Sequence, residues 1–561
     1  MEVLDSRRLT GPNIVTAGPG AILDIVVEEG EETEPVVAAW TRQVERILEA
    51  VGWGGTEPVH RIFPGGMSLA FHAPIDALYA ATEVNEWAWQ AAEAELAGEE
   101  ASDFDAASER LRGEIAGEVK PLVLALEAAA AERGVAFLWD DDRVSIGLGR
   151  GSRTWGVEEI PDPSSVDWKR IRDVPIAQVT GTNGKTTTVR LLAAMVEAAG
   201  LTPGVSSTDW IAVGDEILDH GDYSGPGGAR QVLRDRRTQT AILETARGGM
   251  LRRGLAVERT DVAAVLNVAE DHLGEFGVHD LDALARCKFI VDRAAQRLVL
   301  NADDPVVRRH GEGTRRPIIW FSLHPDDPFV IAHLAAGGDA CLLERGRLVL
   351  HRRGRRLAMA EVAEVPLTLG GAARYNIANA LAAVAVAAEL GLQPKAIGAG
   401  LRRFESTPET NPGRLNEFSI DGARVIVDFA HNPHGVTALL ETAAALPAER
   451  RLVTIGQAGD RDDASILQLA RATWSAGPDR VLVKAMSEYL RGRQEGETQS
   501  MIEAELRTLG ADDSHLVRTG DELDTARTAL AWARPGDLIL LIVHSHRDEV
   551  VAYLQKQESE S

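Results

Sequence analysis

The sequence predicts an α/β chain of three domains. Residues 1–165 form an N-terminal α+β domain, 166–411 a central domain with a mostly parallel sheet, and 412–561 a smaller C-terminal α/β domain. Three observations predict it. From about 170 to 411, apolar runs of strand length alternate with helical stretches, the signature of parallel strands covered by helices. The alternation returns in shorter form after 412. Before 165, short strand-like and helical pieces mix without that rhythm. At 561 residues the chain is also too long for a single core.

In the first region, "VVAAWTRQVERILEAVG" places Val37, Trp40, Val44, Ile47 and Leu48 at helical spacing. "EEGEETEP" and "EAELAGEEASDFD" read as exposed loops or helix surface. "FLWDDDRVSIGLGRG" reads as a hairpin whose turn holds Asp140 to Asp142. "GLGRGS" at 147–152 has the outline of a dinucleotide fingerprint but lacks the following helix, and is rejected.

The central region opens on "QVTGTNGKTTTVRLL". Pro175 to Thr180 is strand-like. A helix is predicted over Thr187–Ala199, with Val189, Leu192, Val196 and Ala199 on one face and Gly200 as its stop. Between them lie Gly181, Thr182, Asn183, Gly184, Lys185 and Thr186. Glycines let the backbone come close enough for N–H groups to face an anion, and a helix N-terminus adds partial positive charge. The lysine supplies a full charge to the outer phosphates, and the Thr186 hydroxyl suits Mg²⁺. The segment therefore reads as a nucleoside triphosphate loop, which makes this a P-loop ATPase domain. The match is incomplete, because the first glycine of the usual pattern falls on Val179. A glycine-rich turn with a solvated lysine is the alternative.

Further strands are predicted at "QTAILET", "DVAAVLNV" and "RLVLNADD". The first ends in Glu244, and the second runs into Glu270, Asp271 and His272. Ligands of open α/β sheets lie beyond the carboxyl ends of the strands, so these groups emerge on the phosphate edge. A carboxylate there suits a hard cation; an exposed acid, a helix cap or a structural histidine is the alternative for each alone. Gly370, Gly371, Pro408, Pro412 and Gly413 punctuate the next junction. Beyond it "ARVIVDFA", "RLVTIG", "DRVLVKA" and "DLILLIV" are strands of a Rossmann-like unit. His544 and His546 in "HSHRDEV" read as a surface loop rather than a metal site.

Composition narrows the function classes. Lys+Arg of 59 against Asp+Glu of 85 gives a formal charge of −26 with no obvious basic face, so no nucleic-acid partner is expected. Cys287 and Cys341 lack metal-ligand spacing and suit a reducing compartment. The N-terminus has no apolar signal core, and the Ala-rich "IANALAAVAVAAELGL" is too short to span a bilayer. A cytoplasmic protein with no membrane partner is expected.

Taken together, "TGTNGKTTT", "GDYSGPGGARQVLRD", "ILETARGGMLRRGL", "LNVAEDHLG", "LNADDP", "TLGGAARYNIANALAA", "NPGRLNEF" and "VIVDFAHNPHG" resemble the Mur ligase family of ATP-dependent amide ligases. Within it they are most similar to the Mur-type half of the cyanophycin synthetases. The resemblance implies a three-domain Mur ligase-like fold, ATP and Mg²⁺ as cofactors, and an acyl phosphate joined to an amine with release of ADP and phosphate. It implies that Thr186 and Glu244 hold a first Mg²⁺ and that His272 contributes to a second metal. Lys288 matches a lysine that some members carry as a carbamate, with a salt-bridged helix lysine as the alternative. It places Asn376 by the adenine, Arg414 at the phosphates, Asp428 at the ribose and His431 nearby. Thr182, Asn183 and Thr187 complete the nucleotide-binding stretch. Arg247 is the candidate for a substrate carboxylate, with a salt bridge at the helix N-terminus as the alternative.

The sequence also departs from that pattern. About 165 residues precede the P-loop, too few for an N-terminal domain plus a full ATP-grasp module, so backbone extension is not expected. Trp210 stands where a small residue is expected, and "YSGPGG" replaces a Cys- and Trp-containing version. The incoming amine therefore need not be arginine. The partners implied are a small amine or amino acid and an acidic peptide or small carboxylic acid. A homo-oligomer and a separate ATP-grasp synthetase are further partners this reading admits. A non-catalytic nucleotide-binding partner of such a synthetase and a folylpolyglutamate-type glutamate ligase are the competing readings.

Overall fold

A computed structural model describes residues 1–28, 30–99, 103–271 and 273–561. The chain opens with β1 (Glu2–Leu9), β2 (Gly20–Val26), helix α1 (Thr33–Ala50), β3 (Val59–Phe63) and β4 (Gly66–His72). These strands form an antiparallel sheet in the order β1-β2-β4-β3. Alternation sorts the side chains. Ala21, Leu23, Ile25, Leu69 and Phe71 join the core beneath α1 and α2 (Leu78–Ala97). The other face carries Asp24, Ser68 and Arg61, opposite one another in register, and Arg7, which is opposite Ile22. As expected, Val37, Trp40, Val44, Ile47 and Leu48 are the buried stripe of α1. Helices α3 (Phe104–Glu118) and α4 (Pro121–Glu132) complete this core. The predicted hairpin is β5 (Phe137–Asp140) and β6 (Arg143–Ile146), extended by β7 (Arg153–Gly156). "GLGRGS" is a tight turn between β6 and β7, with no helix after it.

The central region is one eleven-stranded sheet. It is laid down as β8 (Ile176–Thr180), α5 (Lys185–Ala198), β9 (Pro203–Ser206), β10 (Trp210–Val213), β11 (Glu216–His220), α6 (Pro226–Arg234), β12 (Thr240–Glu244), α7 (Arg247–Arg253) and β13 (Thr260–Val265). There follow α8 (Leu281–Lys288), β14 (Ala295–Asn301), α9 (Pro305–Glu312), β15 (Ile318–Ser322), α10 (Pro328–Ala335), β16 (Asp339–Glu344), β17 (Arg347–Arg352) and β18 (Arg355–Glu361). The order is β11-β10-β9-β12-β8-β13-β14-β15-β16-β17-β18. Strands β9, β12, β8, β13, β14, β15 and β16 run parallel, and an antiparallel pair, β10–β11 or β17–β18, closes each end. Both faces are covered. On β13, Val262 and Ala264 face the core of α5, α11 (Arg374–Glu389) and α12 (Pro394–Arg403), while Ala263 and Val265 face that of α7 to α10. The Ala-rich stretch is α11, buried for most of its length because alanine lets it lie close to the sheet. Among the described residues, no helix is long and apolar enough to cross a membrane.

One boundary differs from expectation. Helix α5 begins at Lys185, not Thr187, because Gly184 takes a left-handed conformation (φ 86°) and turns the chain directly into the helix. Lys185 and Thr186 therefore sit in its first turn.

The last region is β19 (Asn416–Ile420), β20 (Ala423–Asp428), α13 (Pro433–Ala445), β21 (Arg451–Ile455), α14 (Asp463–Ser475), β22 (Arg480–Val483), α15 (Glu497–Thr508), β23 (Leu516–Arg518), α16 (Glu522–Trp532), β24 (Leu538–Ile542) and α17 (Arg547–Glu560). The sheet order is β19-β20-β24-β21-β22-β23, parallel except for the β19–β20 hairpin.

Candidate functional site

Sequence places the loop of 181–184 between a buried strand and a helix, and neighbouring residues fix its course. Thr182 N–H donates to Asn267 O at 3.0 Å, and its hydroxyl bonds both Ala269 O (3.1 Å) and Ala269 N–H (3.0 Å). Asn183 N–H donates to Asn267 Oδ1 at 2.8 Å. Gly184 lies against α11, where an added Cβ would meet Asn379 Oδ1 at 2.3 Å. The loop thus has no room for a side chain where it turns. Lys185 Nζ donates to the carbonyls of Gly181 (3.1 Å) and Thr182 (3.0 Å), which holds the ammonium over the loop. Thr186 and Thr187 are buried in the first turn, and the Thr187 hydroxyl accepts from Asn411 Nδ2 at 3.3 Å.

Strand β12 lies directly beside β8, with Glu244 opposite Val179. Glu244 is buried at that strand tip and accepts from the Thr208 hydroxyl (2.6 Å) and N–H (3.2 Å). On the other side of β8 the tip of β13 leads to Asp271. Arg461 Nη2 donates to Asp271 Oδ1 at 2.9 Å, and His431 Nε2 lies 3.4 Å from Oδ2. His272 lies outside the described residues. Arg247 opens α7 and pairs with Glu275. Lys288 is buried at the end of α8. Burial, reinforced by the nearby Lys185, brings its amine down to about 7, while Asp271 acts in the opposite sense. Lys185, Asp271 and Arg247 all act on the charge of the Lys288 amine.

Asn376 is buried in α11. It donates to Leu367 O (3.1 Å) and accepts from Asn379 (3.0 Å), the residue packed against Gly184. Asp428 ends β20, where its carboxylate accepts from Leu415 N–H (2.9 Å) and Ala430 N–H (2.8 Å). Burial pushes it up to about 6. Arg414 is bound to Asp209 at 2.9 Å.

Sequence reasoning missed Asp209. This buried carboxylate also receives Arg190 of α5 (2.6 Å) and Arg547 of α17 (2.7 Å). Trp210 lies under the Arg190 guanidinium at 3.7 Å. The cluster joins the P-loop helix to the C-terminal region with three cations on one anion. Asn432 was also missed, although it stands inside the quoted "DFAHNPHG"; it exchanges side-chain hydrogen bonds with Asn183 at 3.1 and 3.2 Å. His544 corrects the surface-loop expectation. It is largely buried beside Lys484 and Glu522, and Glu522 accepts the backbone N–H groups of His544, Ser545 and His546 (2.7, 2.9 and 2.8 Å).

Residues 179–387 match the Mur ligase middle domain, and 413–542 match the Mur ligase glutamate ligase domain. Cyanophycin synthetase of Synechocystis sp. is 39% identical over 332 residues, covering 59% of this chain and 38% of that protein. A UDP-N-acetylmuramoyl-L-alanyl-D-glutamate--2,6-diaminopimelate ligase of Geobacter metallireducens is 26% identical over 403 residues, covering 67% and 74%. A crystal structure of MurF from Acinetobacter baumannii aligns at 20% identity with a TM-score of 0.49, over 68% of this chain and 77% of that one. The chain spans about two fifths of the length of the cyanophycin synthetases it matches.

Proposed function

On its middle and glutamate-ligase domains this chain belongs among the Mur ligases, and from that premise we propose that it is an ATP-dependent acid–amino-acid ligase. It would activate a carboxylate as an acyl phosphate and join it to an amine, releasing ADP and phosphate. The observation that carries this reading is the convergence at the P-loop. The buried carboxylate of Glu244 emerges one strand from a loop that turns at Gly184 with no room for a Cβ, and on the other side Thr182 is bound to Ala269 beyond the β13 tip, two residues before Asp271.

Each residue has a task in this reading. Lys185 neutralises the group being transferred. Thr186 and Glu244 would hold Mg²⁺, a hydroxyl and a buried carboxylate being the oxygen donors such a cation takes. When bound, the metal shields phosphate charge so that an anionic nucleophile can approach. His272 is assigned to a second metal by resemblance alone. Lys288, with a neutral amine populated near pH 7, suits a carbamate. Asn376 would face the adenine and Asp428 the ribose, with His431 beside them. Arg414 would leave Asp209 for the phosphates. Arg247 would exchange Glu275 for a substrate carboxylate.

The acceptor we propose is an acidic peptide or small acid, and the donor an amino acid or amine, in the cytoplasm. Backbone extension is no part of the proposal. The test is phosphate release with ATP and Mg²⁺ across a panel of amines and acidic peptides, with mass spectrometry of products. Release that needs both substrates and disappears in Lys185→Ala supports the ligase. Tight ATP binding with no turnover on any pair supports a non-catalytic partner of a separate synthetase.

A further inference from the structure

The loop between the β13 tip and α8 has both ends in the candidate site, with Asp271 before it and Lys288 after it. Its middle is held by the N-terminal sheet. Arg61 of β3 donates from Nη2 to Phe276 O at 2.5 Å and from Nη1 to Gly277 O at 3.5 Å. The Phe63 ring stacks on His279 at 5.9 Å, and a Cβ on Gly277 (φ 66°) would come within 2.4 Å of that ring. Arg7 lies over Phe276 at 5.1 Å and is itself anchored by Asp24 at 2.6 Å. The loop closes on itself through Gly274 N–H to Val278 O (2.8 Å) and Val278 N–H to Glu275 O (3.0 Å). Glu275, inside that turn, holds Arg247.

We propose that Arg61 is a positioning residue for the reaction centre: by gripping the Phe276 and Gly277 carbonyls, it sets the turn from which Glu275 aims Arg247. This rests on the ligase reading. The physical reason lies in the polar face of the sheet. Asp24, Ser68 and Arg61 stand opposite one another in register, with Arg7 paired to Asp24, where a free-standing sheet would expose them or make them apolar. A planar guanidinium reaches two adjacent carbonyls at once, which a lysine ammonium does not reproduce in that fixed geometry. Without it the turn loses its outer fixed point. Misplacement of a positioning group by about 1 Å costs roughly 10²-fold in rate.

The test compares Arg61→Ala and Arg61→Lys with Arg42→Ala, whose exposed partner Glu95 lies away from this loop. Hydrogen exchange reads the loop directly. Exchange across 273–280 is expected to accelerate about tenfold in both Arg61 variants while 181–187 stays unchanged. In phosphate release, kcat is expected to fall about 10–100-fold with the KM for ATP within about twofold, and added guanidinium should restore part of kcat in Arg61→Ala. Unchanged exchange across 273–280 in a folded variant overturns the proposal, as does unchanged kcat beside a faster-exchanging loop. Should Arg61→Ala fail to fold, Arg61→Lys carries the same readings. If the wild type turns over no substrate pair, the ligase reading fails, and the exchange data still decide whether Arg61 sets the loop.

Discussion

Glu127 of α4 faces Glu258 and Asp76, and burial with these like charges pushes its carboxyl up to about 7. Folded protein then binds more protons than unfolded chain between about pH 4.5 and 7, so this group makes stability fall as pH rises through that window. Glu127→Gln should therefore stabilise by about 1 kcal/mol at pH 8, a figure reduced for the partial exposure of the site. The gain should vanish below about pH 4.5. Thermal melts of both proteins across that range check it. At this scale the sequence was legible where residues stand close together: Gly184, Lys185 and Thr186 announce an anion loop by adjacency. Asp209 was not legible, because Arg414 and Arg547 lie 205 and 338 residues away, and nothing local distinguishes it from a turn aspartate.

Elements were read more completely than their ends. The strands at "PIAQVT", "QTAILET" and "DVAAVLNV" needed only a run of apolar residues. The start of α5 depended on the left-handed Gly184, which moved it two residues earlier. That geometry gives a prediction. Gly184→Ala adds a Cβ at a positive φ and in collision with Asn379, so ATP affinity should fall at least about tenfold and stability by about 1–3 kcal/mol; calorimetry with ATP and thermal melts read both. In the C-terminal region, Lys484, just past β22, is fully buried against Glu522 of α16 and the carbonyl of Ile542 on β24. Lys484→Met leaves that carboxylate without its cation and should cost about 3–5 kcal/mol, read by denaturant unfolding. Periodicity could not reveal this pair, because Lys484 reads as an ordinary charged residue following an apolar strand.

Across the whole molecule, Asp209 is the tie between the central and C-terminal regions. Arg414 and Arg547 come from the latter, while Arg190 comes from the P-loop helix. Asp209→Asn removes the carboxylate that the three guanidinium groups share. The junction at 404–416 should then be cut faster by protease, and the radius of gyration in solution should rise, both against an unchanged secondary-structure spectrum. The overall α/β plan was legible because each sheet is built from its own stretch of sequence. The contacts between stretches were not, since they are made by single side chains.

The grip of β3 on Phe276 also bears on how the chain is made. Arg61 leaves the ribosome with its two carbonyl partners still unsynthesised, the first of them 215 residues downstream. At ordinary translation speeds that interval is roughly 10–40 s. Throughout it the nascent sheet must carry Arg7, Asp24 and Arg61 uncovered, and a charged face of that kind is well suited to stay wetted and unaggregated until its cover arrives.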